Sequence, residues 1–353
     1  MACTGIELIS KQGNPYWGRT QDFEQHFEYS GVKIPKGYIF SAAYTPFETK
    51  LNVMGIVWAK DIHKSPVLLD GINDFGICGG SFYFDHFYRY AKTKDIRSQG
   101  KVAIRGEELC TWILTHYSSL DDIKNNLQSD VGITNEPGPM MGMSVPQHCV
   151  FQDESGRAIV VEPSINNGFR IFENPVGVFT NAPTFDWHLN NLKTWLERIT
   201  DRTYEYDDEE AVEPISLDES TSGLVGIPAD YKPESRFLRA AISKLLSVNV
   251  DDVEALNQIF QLLTSVNTPK GSLRIKNGVE KNTLVAWTQY TSGYDIKRKK
   301  LYAFTYDNRN LRSLDYGDPE TWGNKIRYFS FISKQSAIPF IEKNEWSEGE
   351  NTI

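Results

Sequence analysis

The sequence predicts an α+β protein in which antiparallel sheets are covered by helices. Strand-like runs fill the N-terminal third and the last third, while helical periodicity dominates between them. Strands and helices therefore come in blocks and do not alternate as they would in a parallel βα chain. The 353 residues contain no internal repeat and no low-complexity linker, so one compact domain is expected. A chain of this length buries about three-quarters of its surface and needs no disulfide or metal to hold its core.

The elements follow in order. Cys3 to Ser10 and Tyr16 to Glu24 flank Lys11-Gln-Gly-Asn-Pro15, whose Gly-Asn-Pro chemistry suits a hairpin turn centred on Gly13. That hairpin brings Cys3 back against the residues near Gln21 to Glu24. Further strands are expected at Leu51 to Ala59 and Val67 to Leu69, followed by a turn with Gly71 and Gly76. Leu109, Ile113 and Leu114 give Glu107 to Tyr117 a helical stripe, and Ser119 can cap a helix from Leu120 to Leu127. Pro137 to Gln152 reads as a loop leading into a strand. Strands return at Cys149 to Gln152, Ala158 to Glu162 and Gly168 to Phe172. Helices are expected at Asp186 to Ile199, Ser235 to Ser247 and Asp251 to Ser265. Strands at Thr283 to Ser292, Lys300 to Tyr306 and Ile326 to Ile332 close the chain.

Composition narrows the function. At 40% hydrophobic and 24% charged the chain is neither disordered nor fibrous. Its net charge of −9 argues against nucleic acid or an anionic membrane as partner. Most of that charge lies between Asp201 and Glu219, where nine acids face Arg202 alone, a solvated acidic loop by the simplest reading. No apolar stretch is long enough to cross a membrane or direct export, and four scattered cysteines suit a reducing, cytoplasmic setting. No C-x-x-C, Walker loop, G-x-G-x-x-G, H-E-x-x-H or G-x-S-x-G occurs, so neither metal nor cofactor is expected.

One thiol remains. Cys3 begins a strand just after Met1 and Ala2, and removal of those two residues would give it a free α-amine. An α-amine titrates near neutral pH and can serve as general base to its own thiol without a histidine. The plain alternative is an incidental thiol at a fraying terminus. Gly18-Arg19-Thr20-Gln21-Asp22-Phe23 puts a cation and a carboxylate on the partner strand. Arg19 would favour the thiolate and Asp22 would accept from the α-ammonium; alone, the two could equally be a rim ion pair.

The motifs M-x-C-T-G and G-R-T-x-D-F together resemble the cysteine N-terminal-nucleophile amidohydrolases of the choloylglycine hydrolase and penicillin V acylase family. The resemblance continues through Asp70-Gly-Ile-Asn73-Asp-Phe-Gly76 and Gly177-Val-Phe-Thr-Asn181-Ala-Pro-Thr-Phe-Asp-Trp-His188. It resumes at Gly223 to Asp230, Glu234 to Arg239, Val266 to Gly271 and Thr288 to Ser292, in family order along nearly the whole chain. It implies a four-layer αββα sandwich of two antiparallel sheets and hydrolysis of linear amides. It also implies a leader of residues 1–2 removed by autoprocessing, a single domain over residues 3–353, and a homotetramer.

By position, Cys3 matches the nucleophile, and Arg19 and Asp22 match the residues that set its ionisation and orientation. Asn181 matches the oxyanion-hole side chain, and Arg236 a site arginine at the start of a helix. Without the resemblance, Asn181 reads as a turn residue before Pro183 and Arg236 as a solvated helix-end charge. Tyr83 occupies a position where bile-salt-cleaving members usually carry Asn and penicillin V acylases Tyr. Its N–H would complete the oxyanion hole, and its ring would form an aromatic wall suited to a phenoxyacetyl group. Ser81-Phe-Tyr-Phe84 could equally be a core strand. These residues place penicillin V-type amides first among small-molecule substrates, conjugated bile salts second, with N-acyl homoserine lactones also open.

Two rival readings stand beside this one. Ala2 departs from members in which Met directly precedes the cysteine, so a chain that failed to mature would be a binding or scaffold protein. Alternatively, Cys149 could act with a histidine, although its neighbour His148 should point to the opposite face of its strand. Cys78 and Cys110 read as core thiols, and His188 as a structural, hydrogen-bonded histidine.

Overall fold

A computed structural model of the protein describes residues 3–58, 66–138, 142–165, 168–200, 224, 226–276 and 283–331. Among these, two antiparallel sheets lie face to face between two helical layers. The first sheet runs Val178–Phe179, Thr4–Ile9, Pro15–Phe23, Thr283–Asp295, Lys300–Thr305, Arg312–Asp315, with Leu273–Lys276 also paired to Thr283–Asp295. The second runs Phe169–Glu173, Ala158–Pro163, Gln147–Gln152, Cys78–Tyr83, Leu68–Asn73, Val53–Trp58, Tyr29–Ile34, Arg327–Ser330. Helices Phe185–Thr200, Pro233–Leu246 and Asp252–Thr264 form the layer on the first sheet; Leu109–His116 and Leu120–Asp130 cover the second. This is the expected αββα sandwich. No helix among the described residues is long and apolar enough to cross a membrane.

The N-terminal hairpin forms as its turn chemistry predicts. Gly13 takes φ +79°, a left-handed conformation that costs glycine little, and Thr4 pairs with Thr20 and Gly5 with Arg19. All nine residues of Pro15–Phe23 are buried, because the strand is central to its sheet and covered on both faces. Gly18 permits that cover: a Cβ there would lie 2.5 Å from Ile259 Cγ2 on helix Asp252–Thr264. Two cores result. Ile6, Leu69, Phe82, Tyr290 and Tyr294 belong to the one between the sheets, whereas Ile113, Leu114, Phe151 and Ile159 belong to the one under the second helical layer.

Most predicted elements are present within one to three residues of their predicted ends. Ser119 caps its helix, its Oγ accepting from Asp122 N–H at 3.0 Å. Gly71 corrects the sequence reading: it lies inside strand Leu68–Asn73, and only Gly76 makes the turn. The strands Tyr29–Ile34 and Cys78–Tyr83 were not predicted as units, the second because its two glycines weaken the β signal. The acidic stretch 201–219, Ala59 and Ile332 lie outside the described residues.

Candidate active site

The hairpin register places Cys3 at the edge of the inter-sheet core, 3% exposed, opposite the end of Pro15–Phe23. Its backbone N–H donates to Asn181 Oδ1 at 2.7 Å. Its thiol donates to Gln21 Oε1 at 3.7 Å and lies 3.8 Å from the Asp22 carbonyl. Arg236, fully buried on helix Pro233–Leu246, donates through Nη1 to the Cys3 carbonyl and to Thr4 Oγ1 at 2.7 Å, and through Nη2 to Asn181 Oδ1 at 3.0 Å. An arginine and an amide N–H can only donate, so the oxygen of the Asn181 amide must face them. Its Nδ2 then faces the other way and donates to the Tyr83 carbonyl at 2.9 Å.

That contact locates a second donor. Phe84 N–H donates to the Pro146 carbonyl, so 84/146 is a hydrogen-bonded pair and Tyr83 with Gln147 is not. Both backbone groups of Tyr83 consequently face the opposite edge, where Asn181 already meets the carbonyl. The Tyr83 N–H thus points to the same edge of its strand as the carbonyl that Asn181 Nδ2 meets, and Tyr83 lines one pocket with Cys3.

Arg19 is also fully buried, but it does not pair with Asp22 as a rim ion pair would. It donates to the Leu69 and Ser81 carbonyls at 2.8 and 2.7 Å and to Gln21 Oε1, lies 3.9 Å from Asp70, and sits over the Phe82 ring. Burial works against its charge, yet Tyr290, Cys3 and Asp70 around it outweigh that and hold it protonated. Asp70 is held in turn by Tyr290 Oη at 2.5 Å and by Tyr294 Oη. Asp22 is wholly buried. Thr268 Oγ1 reaches its Oδ2 at 3.5 Å, Thr288 lies beside it, and Oδ1 has no well-formed hydrogen bond among the described residues. Burial pushes its carboxyl up to about 6, with Arg236 the main opposing charge.

Cys3 lines a pocket walled by Phe23, Phe27, Tyr29, Trp58, Leu69, Tyr83 and Val145, with Gln21, Ser81 and Gln147 as its polar members. The structure therefore brings together all six residues singled out from sequence. Sequence reasoning missed Gln21, which bridges the thiol and Arg19, and Asp70, the anion behind Arg19. The period-two alternation of a strand would have found the first, since Gln21 and Phe23 share the face of Arg19. Cys149, by contrast, is sealed in the outer core beside Cys110, its thiol pushed well above the usual range by burial. His148 points into the other core, towards Phe82, Phe84 and Phe179.

A buried cysteine at the head of a hairpin, flanked by arginines and a carboxylate and lining a pocket in an αββα sandwich, is an arrangement suited to attack on a carbonyl carbon. Residues 3–320 match the family described as linear amide C–N hydrolases, choloylglycine hydrolase family, and the chain belongs to it. It is 30% identical over 332 residues to the bile salt hydrolase/transferase of Clostridium perfringens, covering 93% of this chain and 97% of that one. It is also 30% identical to the bile salt hydrolase/transferase of Lactiplantibacillus plantarum, covering 88% and 91%. The crystal structure of a mutant conjugated bile acid hydrolase from C. perfringens superposes with TM-score 0.79 at 28% identity, over 96% of this chain and all of that one. Penicillin V acylase from Agrobacterium tumefaciens shares the fold, with TM-score 0.69 at 17% identity over 92% and 90%.

Proposed function

We propose that Cys3 is the nucleophile of this amide hydrolase and that conjugated bile salts are its main substrates. The observation that carries the reading is the largely apolar, aromatic pocket that Cys3 helps to line, a site for the apolar acyl half of an amide. Sequence reasoning placed penicillin V-type amides first on Tyr83 alone. Relatives at 27–30% identity include bile salt and bile acid hydrolases, and the penicillin V acylase is similar in fold only, which supports the reversed order. Tyr83 keeps phenoxyacetyl amides as the second reading, since its half-buried ring faces the cavity.

The chemistry begins with cleavage of the Ala2–Cys3 bond. The released amine keeps its bond to Asn181 Oδ1, and the buried Asp22 carboxylate, on the residue whose carbonyl lies 3.8 Å from the thiol, is the anion to which this reading assigns its charge. The amine takes the thiol proton, and Sγ adds to the substrate carbonyl carbon. Asn181 Nδ2–H and Tyr83 N–H hold the resulting oxyanion. As the C–N bond breaks, the ammonium gives its proton to the leaving amine, producing a thioester. The amine then takes a proton from water, whose oxygen attacks the thioester carbonyl. Loss of the thiolate frees the carboxylic acid and returns the proton to sulfur.

The test pairs the intact mass of the purified protein with turnover. A chain that begins at Cys3 and releases glycine or taurine from glycocholate or taurocholate at higher kcat/KM than it cleaves phenoxymethylpenicillin is the expected result. A preference for phenoxymethylpenicillin overturns the substrate order. A chain that retains Ala2 and still hydrolyses either amide at full rate overturns the mechanism.

A further inference from the structure

Two buried histidines hold the backbone on either side of Asn181. His148 on Gln147–Gln152 stands opposite Glu162 on Ala158–Pro163, both fully buried. His148 Nε2 lies 2.9 Å from the Thr180 carbonyl, and Nδ1 lies 3.2 Å from Glu162 Oε1, which also accepts from Phe185 N–H at 2.9 Å. On the other side, His188 Nε2 lies 2.9 Å from the Asn181 carbonyl, and its ring stacks on Phe237, the residue after Arg236. The Thr180 and Asn181 carbonyls belong to the two peptide planes that meet at the Asn181 Cα. Fixing both planes fixes φ and ψ of that residue, and with them the direction of its side chain.

The proton inventory makes the His148 contact obligatory. A carbonyl only accepts, so Nε2 carries a hydrogen. A bare Nδ1 and an ionised Glu162 would then be two acceptors face to face, so one proton lies between them. We propose that His148, locked in its tautomer by Glu162, and His188 are positioning residues that aim Asn181 at the oxyanion; the inference rests on the role proposed above for Asn181. Burial lifts Glu162 to about 8 and drops His148 to about 3 and His188 to about 4. The groups facing them change little of this. Arg170 lowers Glu162 and Asp186 raises it, and the two pair with each other at 2.9 Å, while Arg236 keeps His188 neutral. The Glu162–His148 pair therefore keeps its proton up to about pH 8. Above that the carboxylate requires the hydrogen on Nδ1, and the ring releases Thr180.

The experiment uses the full chain and two variants. His148→Phe keeps the aromatic packing and removes both hydrogen bonds. Its kcat for glycocholate, or for phenoxymethylpenicillin if that is the better substrate, is expected to fall about 10- to 100-fold, with KM within about twofold and alkylation of Cys3 by iodoacetamide unchanged. Glu162→Gln removes the titrating group from between Nδ1 and the Phe185 N–H, so whichever way its amide turns, the fall in wild-type kcat above about pH 8 should be absent in that variant. Unchanged kcat in His148→Phe, or the same alkaline limb in wild type and Glu162→Gln, overturns the inference. So does a loss of kcat accompanied by an equal change in KM and alkylation, which would mark a general structural role. Should His148→Phe fail to fold, the pH profile of Glu162→Gln decides alone. Failure of the parent reading is separate, since wild type would then turn over no amide in a Cys3-dependent way.

Discussion

Cys3, just before strand Thr4–Ile9, and Cys149, within Gln147–Gln152, are both buried thiols, 3% and 0% exposed, yet their surroundings are opposite. Cys149 faces the outer core, where burial first and the neighbouring Cys110 second push its ionisation upward. Cys3 faces Gln21, the Asp22 carbonyl, Arg19 and Arg236, and lines a pocket. Burial therefore does not distinguish the thiol proposed as nucleophile from the other. The donors and charges that share the burial do, together with room for a substrate carbonyl.

The largest break in this comparison comes from deleting each sulfur in turn. Cys3→Ala should lower amide turnover at least about 1,000-fold, because the nucleophile is lost and the amine has no thiol to deprotonate, whereas Cys149→Ala should leave kcat within about twofold. Steady-state assays on one preparation of each variant decide between the two thiols. Asn181→Ala should lower kcat about 100- to 1,000-fold, the usual cost of one oxyanion donor. It also strips Cys3 N–H and Arg236 Nη2 of their acceptor, so a loss confined to KM would remove Asn181 from the chemistry.

The sequence made the Cys3 region legible because hairpin chemistry is local. Gly13 and Pro15 specify the turn, and the turn fixes which residues face Cys3. Asn181 and Arg236 lie 178 and 233 residues from Cys3, and no local pattern joins them to it; only the family resemblance did. Asp70 was quoted within a family block without a role. Its pairing with Arg19 depends on how two sheets stack, which periodicity within one strand does not encode. His188 was read as a structural histidine and does hold the Asn181 carbonyl.

A smaller effect, on stability, follows from the charge behind Cys3. Arg19→Met leaves Asp70 buried without its cation, a change that costs about 3 to 5 kcal/mol when a buried pair is broken from one side. Urea unfolding should show a lower midpoint with an unchanged slope, and midpoints that match wild type would mean that Tyr290 and Tyr294 suffice for Asp70.

The smallest effect returns to Cys149. If that thiol only fills space, Cys149→Ala should cost about 1 kcal/mol through the small void it leaves. Cys149→Ser, nearly the same size, should cost more, about 1 to 3 kcal/mol, because a hydroxyl there is buried among apolar side chains. At Cys3 the order should invert: a serine hydroxyl can still donate to Gln21 Oε1, so Cys3→Ser should be at least as stable as Cys3→Ala. Thermal unfolding of the four variants measures both orders. The same preference at the two positions would mean that Cys3 sits in a surrounding no more polar than that of Cys149, contrary to the hydrogen bonds around it.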